Sequence, residues 1–410
     1  MSQLDDLIRV HCSGGVEWKT LEECCNILDN KRRPISKLAR IAGKYPYYGA
    51  NGIQDYVADY IFDGCFVLIG EDGSVITPNK TPVVNWASGR IWVNNHAHII
   101  AEKEGTLLRY LFYFLQTVDI SHLIRGAIPK LTGKDFRAIK IPLPPLEVQR
   151  EIVGILDLFT GLTAELTAEL TAELELRKKQ YAYYREVLLS FDEKSPSVIK
   201  EMTKRLCPNG IEYKTIKEVS RKTCSGGTPN SSNRDYYKGD IPWLRTQEVD
   251  FNEIYETELK ISEDALKNSS AKWIPANCVI VAMYGATAAK VAINRIPLTT
   301  NQACCNLEID ANKAHYKYVY YCLCNQYEDL KAKGRGTQSN INKAIVEQQI
   351  IPLPPLEIQH KIVEILDKFD TLTTSLTEGI PAEIEARRKQ YTYYRNKLLT
   401  FKEQAPNLTK

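Results

Sequence analysis

IPLPPLEVQREIVGILDLF, residues 141–159, returns as IPLPPLEIQHKIVEILDKF at residues 351–369. The same offset of 210 residues aligns RKKQYAYYREVLLSF from Arg177 with RRKQYTYYRNKLLTF from Arg387, so one register holds without a gap over 141–191 and 351–401. Self-similarity at a single spacing marks a duplicated structural unit. Upstream, GVEWKTLEE from Gly15 echoes GIEYKTIKE from Gly210 at an offset of 195, which makes the second unit 15 residues longer. Between these echoes the halves share little. The order is globular part, helix, globular part, helix, with expected boundaries 1–140, 141–195, 196–350 and 351–410.

Each helical arm opens with Pro-Pro-Leu-Glu. Pro145 and Pro355 pre-set φ for a helix start, and Glu147 and Glu357 fall in the first turn, where a carboxylate suits the dipole. Apolar residues follow at Ile152, Ile155, Phe159, Leu162 and Leu166, and again at Ile362, Ile365, Phe369, Leu372 and Leu376. Steps of three and four are the stripe of a coiled-coil seam. It resumes at Tyr181, Tyr184, Leu188 and Phe191, and at Tyr391, Tyr394, Leu398 and Phe401. A continuous helix from Leu146 to Phe191 would be roughly 69 Å long. Neither arm can bury its stripe alone, so the expected partner of each is the other, antiparallel. The first arm carries TAELTAELTAEL at 163–174, three copies of a four-residue unit of good helix formers. The second replaces it with LTTSLTEGIPAEIEA, where Gly379 and Pro381 should kink or interrupt the helix. Periodicity alone fits equally well a dimerisation coiled coil, with the basic runs at 177–179 and 387–389 as solvated faces.

Composition narrows the class without naming it. The 410 residues are 25% charged and 44% hydrophobic, with a net charge of +3, ordinary for a soluble globular protein. No stretch of about 18 apolar residues is present, so no membrane span is expected. The segment MSQLDDLIRVHCSGG is too polar for a secretory signal, and the expected location is the cytoplasm. The 11 cysteines are odd in number, and Cys24-Cys25, Cys304-Cys305 and Cys322-Leu323-Cys324 lack the spacing of a zinc site. His96 and His98 share a strand face without a third ligand, so no metal is expected.

Catalytic templates fail in turn. Gly133-Lys134 is not a phosphate loop, because Ile128 stands where the first glycine should be and Asp135 replaces Ser or Thr. No G-x-G-x-x-G follows a strand, no Asn-Pro-Pro-Tyr or Asp-Pro-Pro-Tyr segment occurs, and no G-x-S-x-G. Glu17-Trp18-Lys19 and Glu212-Tyr213-Lys214 have a nuclease-like E-x-K spacing, but without companion carboxylates they read as structural strands.

The globular parts mix strand-like runs such as FVLIG from Phe66 with helix-like runs such as LLRYLFYFLQ from Leu107, an α/β (mixed α+β) class with long loops. Several loops combine aromatic, amide and basic residues. Arg and Lys can fork to guanine, Asn and Gln to adenine, and hydroxyls hold phosphates. Candidate DNA contacts are Tyr47, Asn51, Lys80, Arg90, Arg125, Lys130 and Lys134 in the first part. In the second they are Thr228, Asn230, Arg245, Gln247, Tyr284, Lys290, Asn301, Arg335 and Gln338. Surface loops generally contain such residues, so each stands beside a plain solvent-facing reading.

The paired arms resemble those of the specificity subunits of type I restriction-modification enzymes, and the TAEL tract resembles that of the subgroup whose repeat number varies. YPYYGANGIQDYV from Tyr45 and FVLIGEDG from Phe66 are similar to segments of that family's target-recognition domains. The resemblance implies two such domains separated by two long antiparallel coiled-coil helices in a pseudo-two-fold arrangement, each domain reading half of a two-part site on double-stranded DNA. It implies docking of methyltransferase subunits, two per chain, and of restriction subunits. S-adenosylmethionine, ATP and Mg would belong to those partners, with no cofactor in this chain. The competing readings are an enzyme with its own active site, betrayed by activity of the purified chain, and a protein scaffold that ignores DNA.

Overall fold

The computed structural model describes residues 3–334, 340–375 and 377–404. It divides into two compact units, Met1–Glu169 with Ile384–Lys410, and Leu170–Glu383. Each unit holds one globular body, the start of one arm and the end of the other.

The duplicated sequence builds the same frame in both. In unit 1, Glu17–Thr20 pairs antiparallel with Lys140–Leu143, setting Trp18 opposite Pro142. In unit 2, Glu212–Thr215 pairs with Ile350–Leu353, setting Tyr213 opposite Pro352. The upstream echo is therefore the ribbon partner of the Ile-Pro-Leu segment. Two prolines then end the ribbon, lacking N–H donors, and launch the arm. Leu146–Ser190 is a single 45-residue helix, unbroken through the TAEL tract. The second arm is two helices, Leu356–Thr374 and Ile380–Leu398. The expected interruption lies between them: Gly379 packs so closely that a Cβ would sit 2.5 Å from the Thr371 carbonyl oxygen.

The sheets between ribbon and arm differ. Unit 1 has six strands in the order Asn26–Ile27, Ala97–Ala101, Phe62–Gly70, Val84–Val93, Ala42–Gly49 and Gly52–Val57. Unit 2 has five, in the order Ser220–Ser225, Cys304–Ile309, Val279–Ala282, Val291–Asn294 and Asn252–Ile254. It adds a three-stranded sheet, Leu259–Ile261, Ile241–Leu244 and Thr299–Thr300.

One helix in each body meets the arm, Leu108–Leu115 in unit 1 and Tyr316–Asn325 in unit 2. The Gln149 side chain, fully buried, accepts from Leu107 N at 2.9 Å and donates to the carbonyls of Gly105 at 3.1 Å and Pro144 at 2.8 Å. Gln359, equally buried, accepts from His315 N at 2.8 Å and donates to Lys313 at 3.3 Å and Pro354 at 2.7 Å. Tyr110 donates to the Pro142 carbonyl at 2.8 Å, and Tyr318 to Pro352 at 2.9 Å. Tyr113 and Arg109 both bond Asp157, and Tyr321 and Lys317 both bond Asp367. The arm motif is thus a clamp: its Gln and Asp supply hydrogen-bond partners for the entrance and side of the body's helix.

The apolar stripe divides its work. Ile152 and Ile362 are fully buried in the cores of their own units, with Ile155 and Ile365 packed against those cores, which also take in the far end of the other arm, Leu399 in unit 1 and Leu188 in unit 2. Arm-to-arm pairs are seen further along. Phe159 meets Tyr394 edge-on at 6.0 Å and the Thr160 hydroxyl lies 2.9 Å from that of Tyr391. Leu166 shares a groove with Arg387 while Phe159 meets Tyr394, so these segments of unit 1 run antiparallel. In unit 2, Phe369 stacks on Tyr181 at 6.3 Å and Tyr184 at 5.1 Å. Leu372 is half-buried. The packing expected of Leu162 is not achieved: it is 54% exposed, in a groove that Arg387 and Gln390 line together with Phe159, Leu166, Tyr391 and Tyr394. Leu376 lies outside the described residues.

No helix among the described residues is long and apolar enough to cross a membrane. Of the cysteines, eight are buried, Cys207 and Cys224 half-buried, and Cys65 is exposed.

Candidate nucleic-acid interface

In unit 1 Asn51, Lys80 and Arg90 lie on turns and a strand of the six-stranded sheet, whereas Arg125, Lys130 and Lys134 lie outside it. Asn51 is exposed at the tight turn that joins Ala42–Gly49 to Gly52–Val57, where Gly52 takes φ +96°. Arg90 is exposed on Val84–Val93; it donates to Asp63 at 3.1 Å and covers the Tyr60 ring at 4.8 Å. Lys80 projects from the Thr77–Thr81 turn with φ +64°. Arg125 and Lys130 face each other across a short hairpin, and Lys130 reaches Glu71 at 3.4 Å. Lys134 is exposed in the helix Gly133–Arg137.

Tyr47 does not belong to this set. It is 1% exposed, and its hydroxyl is used by the backbone of Ile35 at 3.0 and 3.3 Å. Its neighbours form instead a polar hollow of about 520 Å³ that sequence reasoning passed over, lined by Lys37, Arg40, Gln54, Asn94, Asn95 and His96. The signal was present: KRRPISKLAR at 31–40 holds five cations in ten residues.

Unit 2 brings its candidates together in two places. The loop 225–230 lies against the loop 299–302: Gly227 N donates to the Thr300 carbonyl at 2.9 Å, and Thr228 donates to the Gln302 side chain. Gly226 is crowded against Thr300, leaving no room for a Cβ. Asn230 is exposed at this turn, while the Asn301 side chain is turned inward to accept from Ala303 N at 3.2 Å. The second place is Arg245, which donates to Glu258 at 2.6 Å and to the Gln247 amide oxygen at 2.8 Å. Lys290 bonds Asp250 and lies 5.9 Å from the Phe251 ring centre. Tyr284 is 43% exposed. Arg335 and Gln338 lie outside the described residues.

The E-x-K pairs are strand neighbours. Glu17 meets Lys19 at 3.2 Å and Glu212 meets Lys214 at 3.5 Å, each pair largely solvent-facing. Burial pushes the Cys24 thiol up to about 11 and the Cys25 and Cys278 thiols up to about 12, so these sulfurs stay protonated and unreactive at neutral pH. Among the described residues, no group of three or more His, Cys, Asp or Glu side chains could hold a metal ion.

The type I restriction modification DNA specificity domain matches this chain twice, over residues 14–176 and 208–386. The chain belongs to that family. It is 38% identical over 399 residues to a putative type I restriction enzyme specificity subunit of Haemophilus influenzae, covering 94% of this chain and 96% of that one. It is also 38% identical over 310 residues to the EcoR124I/EcoR124II specificity subunit of Escherichia coli, covering 72% and 71%. Among solved structures, a chain from work on complex assembly and conformational transition of the type I R-M system superposes with TM-score 0.62 at 16% identity, covering 94% of this chain and 97% of that one. An S subunit from M. genitalium superposes with TM-score 0.50 at 16% identity over 94% and 96%. Members of this family are the non-catalytic, sequence-specific DNA-recognition part of a restriction-modification complex, and this specificity subunit has that role.

Proposed function

We propose that residues 1–140 and 196–350 are two target-recognition domains, each reading one half of a two-part DNA sequence, and that 141–195 and 351–410 are the spacer arms that set the gap. The carrying observation is that two unlike sheets stand on one duplicated clamp, a framework held constant beneath surfaces that differ. The arms dock two methyltransferase subunits, and restriction subunits join that core. S-adenosylmethionine, ATP and Mg act on those partners, in the cytoplasm.

In the first domain Asn51, Lys80, Arg90, Arg125, Lys130 and Lys134 face the duplex, joined by the hollow at Lys37, Arg40 and Gln54. In the second, Thr228, Asn230, Arg245, Gln247, Tyr284 and Lys290 do so, and Arg335 and Gln338 are further contacts proposed from the sequence alone. Amides there suit adenine and cations suit guanine or phosphate. Phosphate contacts make the affinity fall as salt rises.

Mapping methylated adenines in cells carrying the chain with its partners gives the two-part motif. Exchanging 1–140 for the corresponding domain of a relative should change one half of that motif and leave the other intact. Deleting Thr171–Leu174, worth roughly 6 Å of helix against about 3.4 Å per base pair, should shorten the gap with both halves unchanged. A gap that stays the same in that deletion rules out the arms as the ruler.

A further inference from the structure

From Asn30 to Gln54 the chain carries six Lys or Arg and no Asp or Glu. At the centre of this cationic stretch stands Leu38, fully exposed, with Ile41 75% exposed three residues on. A single surface leucine needs no explanation. This one is held out by a built turn. Ala39 N donates to the Ser36 carbonyl at 3.0 Å, closing a tight turn over Lys37–Ala39. On one side, Ile35 N donates to the Tyr47 hydroxyl at 3.0 Å and the Arg33 carbonyl accepts from Trp92 Nε1 at 2.6 Å. On the other, Arg40 donates to the Ile35 carbonyl at 3.2 Å and to Asp55 at 3.2 Å, with its guanidinium 4.2 Å above the Tyr47 ring. Ala58 N fixes the Ile41 carbonyl at 2.9 Å. The turn is therefore anchored at both feet to the buried Tyr47 and the sheet, and its apex presents an apolar side chain beside the exposed ammonium of Lys37.

We propose that Leu38 is a wedge which enters the stack between adjacent base pairs of the half-site read by the first domain. The proposal rests on the reading that this domain faces DNA and adds what the face does there. Charge complementarity selects the occupant: Arg32 and Arg40 are matched by Glu71 and Asp55, and the surplus of Lys31, Arg33, Lys37 and Lys44 around the turn draws a polyanion. An apolar side chain on a stiff cationic mount is what a protein uses to unstack a base step, and unstacking is cheapest at flexible pyrimidine–purine steps. Leu38 therefore contributes to specificity without touching a base edge: half-sites with a deformable step at the wedge position are preferred over half-sites with a stiff one.

The test uses the full chain assembled with its methyltransferase subunits and duplexes carrying 2-aminopurine at successive positions of the first half-site. Wild type should raise the fluorescence several-fold at one step. Leu38→Ala should lower that rise at least threefold, and Leu38→Met should restore most of it, with the melting temperature unchanged in both because the side chain is outside the core. Fluorescence in Leu38→Ala equal to wild type overturns the wedge, as does a loss of assembly with the methyltransferase subunits at unchanged fluorescence, which would make Leu38 a protein contact. The double variant Lys37→Gln, Lys44→Gln tests the underlying face separately. Weaker binding with a shallower salt dependence upholds it. Wild-type binding there would remove the DNA from this face altogether, whatever Leu38 does.

Discussion

Gln149 and Gln359 occupy corresponding positions in the two arms and make the same three kinds of hydrogen bond, to an incoming amide of the body's helix, to the loop before it, and to the first proline carbonyl of the arm motif. Eleven residues further along the arm the units part company. Thr160 in unit 1 shares a hydroxyl contact with Tyr391 at 2.9 Å, whereas Asp370, its counterpart 210 residues on, is a mostly buried carboxylate beside Asp367 and Glu253. Loss of solvent, and then those two carboxylates, push the Asp370 carboxyl up to about 6. Beyond the clamp the sheets differ in strand number and order. The polar contacts that fix a body to its arm are held in common; the surfaces above them, and the charge tucked behind one of them, are not.

The comparison can be broken at the clamp first. Gln149→Leu and Gln359→Leu keep side-chain bulk but leave an amide and two carbonyls buried without partners. Each should cost about 3 kcal/mol, read as a loss of denaturation midpoint, and each should act chiefly on its own unit when unfolding is followed by residue-resolved hydrogen exchange. If one substitution is silent while the other is damaging, the clamps are not equivalent.

A second test uses the charge difference. The raised carboxyl of Asp370 means that the folded protein binds this proton more tightly than the unfolded chain does. Its stabilising effect is complete below about pH 4 and is lost as pH rises to about 6. Asp370→Asn, which mimics the neutral form, should therefore gain about 2 kcal/mol at pH 8 and nothing at pH 4. Thr160→Asn in unit 1 should show no such pH dependence, since no titrating group is replaced. Denaturant midpoints at the two pH values check both.

The smallest effect sharpens the frame. Thr215 accepts from Glu218 N at 3.3 Å at the start of the short helix Ile216–Val219, so Thr215→Ala should cost about 1 kcal/mol. At both starts the glutamate carboxylate also accepts, Glu23 from Thr20 N and Glu218 from Thr215 N at 2.7 Å each and from the threonine hydroxyls, but the Thr20 side chain accepts no cap hydrogen bond of its own. Thr20→Ala keeps the first of those bonds and should cost less. Thermal melts of the two variants side by side give the comparison.

The duplication explains how much of this was legible beforehand. Repeated residues at one offset exposed the frame, because the ribbon, the prolines and the arm starts are local in sequence. What the repeated Gln and Asp do was not legible, since apart from the nearby proline carbonyls their partners lie more than 40 residues away in segments that the two halves do not share. Gly379 was readable because glycine and proline act on their own backbone. Leu162 was misjudged because periodicity records which side a residue faces and not how fully its neighbours there cover it. Tyr47 was misjudged because an aromatic among glycines and asparagines looks like a loop contact, whereas it lies on the strand Ala42–Gly49, whose last three residues are all buried. Meanwhile the cationic run at 31–40 was in plain view and carries the polar hollow.

Cys65 sits on the strand Phe62–Gly70, opposite Ser88 and two residues from Asp63, the partner of Arg90. It is the one exposed thiol of the described chain, the others being wholly or partly buried. A maleimide dye should therefore attach first at a single position on the first domain of the unaltered protein. The arrival of DNA at that domain could then be timed separately from its arrival at the second, with no engineered residue in either.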